Sequence, residues 1–173
     1  MTPQEFAQLA EPHLGVIHRM ARRLTRTRAD AEDLAQETLI RAFERRSSLR
    51  ESGRMRGWLL STMRNLHLNR VRDEKPHLLV LQDIRGSAAE PKGNLEREIQ
   101  DLVLSDELSL ALRQLPPDQS EVLWLRAVEG LSYEELAEAM DTPVGTVRSR
   151  LSRARAAMVE LLEAQPVAVG GER

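Results

Sequence analysis

The chain has 173 residues, enough for one domain or two small ones, and no stretch approaches the roughly 20 apolar residues of a membrane span. It lacks cysteine, which excludes disulfides and thiolate metal ligands, and its N-terminus does not have the pattern of a signal peptide. We therefore expect a cytoplasmic protein without membrane insertion. Because only 3% of the residues are aromatic, leucine and alanine must fill the core, which favours packed helices over sheets.

The net charge of −2 hides an uneven distribution. Residues 1–75 carry 15 basic and 10 acidic groups, whereas residues 76–130 carry 5 and 10. Residues 131–173 carry 5 and 7, but four of these basic groups lie together. This pattern predicts two nucleic-acid surfaces joined by an acidic connector.

Apolar residues at helical spacing predict a helix over residues 2–24, which Pro12 breaks or kinks. We predict that Asp30 caps the next helix, DAEDLAQETLIRAFERR. On that helix Leu34 and Ile40 are predicted to project on or beside the polar face. Aliphatic side chains exposed among acids favour a partner surface, although single exposed aliphatic residues are common.

The segment 47–56, SSLRESGRMR, is polar with a central glycine, which predicts a loop. Its basic residues are Arg50, Arg54 and Arg56. A helix is predicted from about Met55 to Arg72, and one of its faces carries Trp58, Asn65, Asn69 and Arg72. Such a face is suited to stacking on unpaired bases and hydrogen-bonding to them. The alternative is that Trp58 belongs to the core.

Prolines and glycines between residues 76 and 95 predict a linker. Two more helices are predicted after it, one over residues 96–114 and one that starts at Pro116–Pro117 and ends near Gly130. The predicted order is therefore a domain at 1–75, a linker at 76–95, a domain at 96–164 and a disordered tail at 165–173.

Residues 131–158, LSYEELAEAMDTPVGTVRSRLSRARAAM, predict two helices joined by a tight turn. Ser132 and Glu135 have the spacing of a capping box at the start of the first helix. Asp141 tolerates the left-handed backbone of a sharp turn. We predict that Thr142 caps the second helix, with Pro143 at its first position.

The second helix has an apolar stripe and an opposite face of small residues and arginine. This opposite face carries Gly145, Arg148, Ser149, Ser152, Arg153 and Ala156. Arginine forks match guanine edges and phosphates, and serine hydroxyls reach either. A solvated amphipathic helix is the alternative, but four arginines without an acid between residues 148 and 155 favour DNA binding.

The sequence shows no constellation for catalysis. The four histidines are scattered, and the phosphate loop, GxSxG and GxGxxG motifs are all missing. We therefore expect no enzymatic activity, no cofactor and no metal.

Three blocks together resemble the extracytoplasmic-function (ECF) sigma factors, the smallest class of the bacterial sigma-70 family. They are DAEDLAQET (30–38), GWLLSTMRNLHLNRVR (57–72) and the segment 115–158. The resemblance implies an all-α fold of two small helical domains joined by a flexible linker, the second containing a helix-turn-helix. It also implies a transcription initiation factor that binds core RNA polymerase, directs it to promoters and helps to melt the DNA.

The resemblance also implies roles for residues. Polymerase contacts, to the clamp helices of the largest subunit, fall on Asp33, Gln36 and Glu37, and this gives Leu34 and Ile40 a function. The 47–56 loop would capture a flipped base of the minus-ten element, with Asn65 and Asn69 nearby. The minus-thirty-five element would contact Arg148, Ser149, Ser152 and Arg153. The C-terminal domain would also dock on the flap of the second large subunit.

The loop departs from the family's acidic and small pattern, because it reads RESGRMR. Two other functions remain open. One is a sigma-like mimic that titrates an anti-sigma factor, and the other is a stand-alone helix-turn-helix regulator. The sequence offers no cysteine, metal site or nucleotide loop for its own control, so we expect a separate anti-sigma protein that packs between the domains and covers Leu34 and Ile40.

Overall fold

The computed structural model describes residues 1–49, 51–82 and 106–164, and within them it contains α-helices, short 3-10 turns and no strands. The helices are α1 (Pro3–Ala10), α2 (Leu14–Leu24), α3 (Arg28–Glu44), α4 (Met55–Gln82), α5 (Asp106–Gln114), α6 (Pro117–Ala127), α7 (Tyr133–Ala139) and α8 (Val144–Ala164). The predicted all-helical class is confirmed.

The N-terminal helix is interrupted where the proline predicted. Helix α1 ends at Ala10, and a 3-10 turn, Glu11–His13, leads into α2. Thr2 begins α1 with a capping box, because its hydroxyl accepts the backbone N–H of Glu5 at 3.2 Å and its own N–H donates to the Glu5 carboxylate at 2.7 Å.

The predicted cap of α3 is wrong. The helix starts at Arg28, and Thr27 is its cap, with an extended backbone and a hydroxyl that accepts the N–H of Asp30 at 3.1 Å. Asp30 lies in the first turn, where its negative charge interacts favourably with the helix dipole.

The prediction that Leu34 projects toward solvent is also wrong, since this side chain is fully buried. Helix α3 packs against both α2 and α4, so its buried arc is wider than a single apolar stripe. The prediction for Ile40 is confirmed, because 58% of its surface is exposed.

Helix α4 is longer than predicted and continues through Pro76 to Gln82, so residues 76–82 are helical rather than linker. A proline removes one backbone donor and crowds the preceding turn. The turns before Pro76 are anchored by buried Met55, Leu59 and Met63, and good helix formers follow it. Residues 83–95 of the predicted linker, residues 96–105 and the predicted tail lie outside the described residues.

In the C-terminal half, α6 starts at Pro117 as predicted and ends at Ala127. Gly130 follows with a φ of 66°, and this left-handed backbone is the reason a glycine stands there. The turn lets the Leu131 N–H donate to the Leu125 carbonyl at 3.2 Å.

The predicted helix-turn-helix is confirmed in outline. Ser132 and Glu135 form the capping box of α7, and Asp141 has a φ of 47° in the turn. The predicted Thr142 cap is wrong. Its enclosed hydroxyl makes no hydrogen bond within the described residues, and α8 begins at Val144 because the Pro143 carbonyl accepts the first N–H bonds of the helix.

The two halves of the chain pack directly on each other. The main contact is between α4 of the first half and α7 of the second. Buried apolar residues of both halves form one contiguous core.

Candidate nucleic-acid interface

The two faces of α8 are as the sequence predicted. Val147, Leu151 and Ala154 are buried against the rest of the C-terminal half. The outer face is exposed and carries Gly145, Arg148, Ser149, Ser152, Arg153 and Ala156. A helix that offers only small side chains and arginine on its open side has the shape and charge that a major groove admits.

Two of these groups are held by local contacts. The Arg148 guanidinium lies over the Tyr133 ring, 5.6 Å from its centroid, and Arg126 lies 5.2 Å from the same ring. The Arg153 Nε donates to the Ser149 carbonyl at 3.3 Å. Both guanidiniums therefore stay on the open side of α8.

Arg150 does not belong to this face, although it is one of the four clustered arginines. Only 20% of its side chain is exposed, and its Nη2 lies 3.2 Å from the carboxylate of Asp118 on α6. It ties α8 to α6 within the C-terminal half.

The predicted base-binding face of α4 is mostly open. Asn65, Asn69 and Arg72 are exposed, whereas Trp58 is half-buried and packs against the core. The tryptophan therefore contacts the core while part of its surface remains exposed. Of the loop arginines, Arg54 is exposed and pairs with Glu51 at 3.1 Å, and Arg50 lies outside the described residues.

Arg56 belongs to a helix and not to the predicted loop, and its side chain is paired. It lies in the first turn of α4 and donates two hydrogen bonds to the Glu135 carboxylate of α7, at 2.8 and 2.5 Å. Its third nitrogen lies 3.3 Å from the Glu129 carbonyl. The Arg56 side chain thus links the N-terminal half to the C-terminal half.

Further basic residues of the first half also pair with acids of the C-terminal half. Arg19 forms a two-point pair with the Glu129 carboxylate, both distances 2.6 Å, and this glutamate side chain is only 3% exposed. Arg64 lies 3.4 Å from Glu121 and 3.6 Å from Asp118. Sequence reasoning missed these pairs, because the partners are far apart in the chain and only the acidic bias of residues 76–130 hinted at them.

Burial shifts the pKa values of groups between the halves. It lowers the pKa of Arg23 to about 10, and this guanidinium donates to the Ser120 hydroxyl and lies 5.5 Å from the Trp124 ring centroid. Burial raises the pKa of Glu121, against the opposing effect of Arg64. Burial acts to raise the pKa of Glu135 as well. The hydrogen bonds from Arg56 and Ser132 outweigh this effect, so the pKa of Glu135 is lowered.

The predicted polymerase surface on α3 is only partly accessible. Asp33, Gln36 and Ile40 are exposed, and Glu37 is hydrogen-bonded to Arg70 of α4. Leu34 is not part of this surface, because a fully buried side chain has no atoms that a partner could contact.

Two family models match the chain. The model described as Sigma-70 region 2 covers residues 9–77, and the one described as Sigma-70, region 4 covers residues 105–158. The ECF RNA polymerase sigma factor EcfG of Rhodopseudomonas palustris is 35% identical over 132 residues, which cover 76% of this chain and 71% of EcfG. This chain belongs to the ECF sigma factors of the sigma-70 family.

Other relatives agree with this assignment. SigE of Mycolicibacterium smegmatis is 37% identical over 151 residues, which cover 86% of this sigma factor but only 58% of SigE. SigW of Bacillus subtilis is 29% identical over 161 residues, which cover 88% of this chain and 86% of SigW.

Two solved structures share the fold. The sigma factor RpoE of Bartonella quintana, in complex with the anti-sigma factor NepR, has a TM-score of 0.71 and 27% identity and covers 94% of this chain and 99% of its own. CnrH, in complex with the cytosolic domain of CnrY, has a TM-score of 0.64 and 25% identity and covers 95% of this chain and 92% of its own.

With the family known, α1–α4 are the region 2 part of the sigma factor and α5–α8 the region 4 part. Among the helices that the structure describes, none is long and apolar enough to cross a membrane. Within the described residues, no group of side chains has the composition of a metal site.

Proposed function

We propose that this sigma factor binds core RNA polymerase, directs it to specific promoters and helps to melt the DNA, without catalytic activity of its own. The observation that carries the proposal is the two-sided recognition helix α8. Its inner side is buried in region 4, and between residues 145 and 156 its outer side carries small residues and arginine. Because transcription takes place in the bacterial cytoplasm, we infer that the protein acts there.

In this proposal, α8 reads the minus-thirty-five element. Arg148 and Arg153 each carry a planar fork of donors that fits guanine edges or phosphate oxygens, and Ser149 and Ser152 are short enough to let the helix approach the bases. The exposure of these four residues is consistent with that role.

Region 2 would open and hold the minus-ten element. Asn65 and Asn69 are exposed and share a helix face with the half-buried Trp58, which supports capture of a base turned out of the duplex. The arginines of the 47–56 segment and the one near the end of the predicted helix would bind the strand's phosphates, namely Arg50, Arg54, Arg56 and Arg72. Arg56 must leave Glu135 to do so.

Polymerase docking would use the exposed part of α3. We assign Asp33, Gln36, Glu37 and Ile40 to the contact with the clamp helices of the largest subunit, and region 4 to the flap of the second large subunit. Ile40 supplies the apolar contact in this assignment.

An anti-sigma factor is the proposed inhibitor. The similar RpoE was co-crystallised with the anti-sigma factor NepR, and the structure of CnrH is of its complex with the cytosolic domain of CnrY. For this chain we propose a partner that covers Ile40 on region 2 and apolar surface of region 4. Copurification from the native host under non-inducing conditions tests this, and a protein that emerges free would contradict it.

Transcription with purified core polymerase tests the main proposal. Adding the sigma factor should produce transcripts from promoters mapped after its overexpression, with no product when it is omitted. A mimic would bind an anti-sigma factor yet give no transcript. A stand-alone regulator would bind its DNA site tightly without polymerase. It would not have to assemble with core polymerase to change the amount of transcript.

A further inference from the structure

We propose that the cavity between α2, α4, α5 and α6 binds a small organic carboxylate with an apolar body. The volume of this cavity is about 370 Å³, at the lower end of the roughly 300–1,000 Å³ of small-molecule sites in proteins. The described residues that line it include none that we assign to DNA or to polymerase. The cavity therefore offers this sigma factor a ligand site beyond its proposed function.

Arg23 of α2 is the cation that would receive the carboxylate. Within the described residues its guanidinium makes one hydrogen bond, to the Ser120 hydroxyl, and no ion pair. This hydroxyl is neutral, and it donates in turn to the Leu112 carbonyl at 2.8 Å. Because a guanidinium carries five N–H donors, most of those of Arg23 remain for a ligand carboxylate.

The positive charge of Arg23 persists although its surroundings oppose it. Burial lowers the pKa of Arg23 to about 10, which is still well above neutral pH, so the guanidinium stays protonated. Glu121 attracts it, but the hydrogen bond to this carboxyl comes from Arg64, whose Nε lies 3.4 Å away. A partly buried cation without a bonded anion is costly, and a ligand carboxylate would offset that cost.

The charges of the wall favour a ligand with one negative charge. Among the described residues, the cavity is lined by three arginines and two acids, namely Arg23, Arg64, Arg113, Asp118 and Glu121. One positive charge is therefore in excess when the lining histidine is neutral. Asp118 also pairs with Arg150 at 3.2 Å, and burial raises the pKa of Glu121, so neither acid is a full counter-charge for the cavity.

The same charges favour a carboxylate head over a phosphate head. A phosphate monoester carries about −1.5 to −2 charges at pH 7, which exceeds the excess of the wall. Asp118 and Glu121 would repel the additional charge. A carboxylate carries a single charge and still accepts two hydrogen bonds from one guanidinium.

Apolar side chains of the wall would contact the body of the ligand. Leu112, Leu115 and Trp124 are buried around the cavity, whereas Leu68 is exposed, so the cavity is accessible from solvent. The Arg23 guanidinium lies 5.5 Å from the Trp124 ring centroid, so the cation and the apolar wall adjoin. A ligand with its head on Arg23 would place its hydrocarbon part on these side chains, where burial is favourable.

Octanoate is the probe, and isothermal titration calorimetry with the full-length chain measures its binding. The affinity should rise about fourfold for each CH₂ added between butanoate and octanoate. Acetate has the head without the body, and octan-1-ol has the body without the charge, so both should bind at least about tenfold more weakly. Absence of saturable octanoate binding would overturn the proposal, and octyl phosphate that binds more tightly than octanoate would overturn the carboxylate assignment.

Arg23→Gln tests the head site. It should weaken octanoate binding about tenfold to a hundredfold, because a charge-assisted pair is lost. The control is Arg26→Gln, which removes the same charge from an exposed residue that does not line the cavity. Equal weakening in both variants would show that the general positive charge of the chain attracts octanoate, and would contradict the site.

Ser109→Phe tests the body site and guards against misfolding of the Arg23 variant. The added ring would fill part of the cavity from α5 and leave every charge of the wall in place, and circular dichroism checks the helix content. Octanoate binding should be lost in Ser109→Phe and kept in Gln114→Phe, which adds the same ring at an exposed position of α5 outside the cavity. Wild-type affinity in both Arg23→Gln and Ser109→Phe would exclude the cavity as the site.

Binding to the cavity is measured without polymerase or DNA, so its outcome is independent of the proposed function. Octanoate should also raise the midpoint of thermal unfolding of the wild-type chain, because a ligand that binds the folded state stabilises it. A chain that binds octanoate but gives no promoter-dependent transcript with core polymerase would contradict the proposed function and leave the carboxylate site in place.

Discussion

Region 4 and region 2 present their basic groups to solvent in opposite ways. In region 4 the arginines of the outer α8 face project outward, and α8 is packed only on its inner side. In region 2 the helices are packed on more than one side, and Arg19, Arg56 and Arg64 are bonded to acids of region 4. The difference shows that the burial and pairing of each arginine, and not the number of basic residues in a region, determine how much positive charge the region presents to solvent.

The largest expected effect contrasts Leu34 with Ile40 on α3. Leu34→Ala should lower the free energy of unfolding by about 2–5 kcal/mol, because it leaves a cavity between α2, α3 and α4. Ile40→Ala should change stability by less than about 0.5 kcal/mol, since the side chain is exposed, but should weaken binding to core polymerase. Chemical denaturation and a polymerase pull-down measure the two effects. Equal stability loss in both variants would contradict the assignment of Leu34 to the core.

The next effect tests the open face of region 4. Arg153→Ala should weaken binding to the minus-thirty-five element by about 1–3 kcal/mol and relax specificity at one base pair, because the lost fork contacts a base edge. Quantitative gel shifts with duplex DNA that carries the minus-thirty-five element measure this loss of affinity. Arg155→Ala is the matched control, an exposed arginine of the same helix without an assigned base contact. An equal loss of affinity in both variants, with specificity unchanged, would show that Arg153 acts only through its charge.

A smaller effect is expected on the open part of region 2. Asn69→Ala should leave closed-complex formation intact and slow promoter opening about three- to tenfold, the equivalent of one lost hydrogen bond to a captured base. Permanganate footprinting of the polymerase complex over time measures the opening rate. A bubble that forms at the wild-type rate would remove Asn69 from the melting role.

The smallest effect concerns His13, which lies beside the Arg56–Glu135 pair. Burial lowers its pKa from the ordinary value of 6.5, and the Arg56 charge lowers it further, against the effect of Glu135. The folded chain therefore binds fewer protons at His13 than the unfolded chain, so the contribution of this group to stability is complete above pH 6.5 and is lost as the pH falls through the lowered pKa. The free energy of unfolding, measured by chemical denaturation at several pH values, should decrease modestly over this acid range in the wild-type protein.

The control for the His13 prediction is His13→Gln, which removes the titrating group. The decrease should be absent in this variant until the pH is low enough to protonate Glu135, whose pKa is also below its ordinary value. Identical profiles for the two proteins would assign the pH dependence to another group.

Local signals predicted the local structure well. Ser132 with Glu135, Gly130 and Asp141 each act through neighbours within a few residues, so their spacing was sufficient. Thr27 and Asp30 were both suitable caps for α3, and only the backbone conformation distinguished them. The family resemblance supplied the assignment of polymerase and promoter roles, which these signals alone do not carry.

Contacts between distant parts of the chain escaped prediction. The burial of Leu34 depends on two neighbouring helices, which a single periodicity does not reveal. Arg56 and Glu135 are 79 positions apart, and nothing in either local sequence specifies the partner. A charge pattern predicted that basic surfaces exist, but not which of them the chain itself covers.

Asp118 is an acceptor shared by two arginines of different regions. One carboxylate oxygen lies 3.6 Å from Arg64 on α4, and the other lies 3.2 Å from Arg150 on the recognition helix. Were the two regions to separate, Asp118 would lose Arg64 and keep only Arg150, so the packing of α8 on α6 and the packing of region 4 on region 2 share one acceptor. Such linkage is reciprocal: any change that strengthens the Arg150–Asp118 pair at the expense of the Arg64–Asp118 pair weakens the contact between the regions by the same factor.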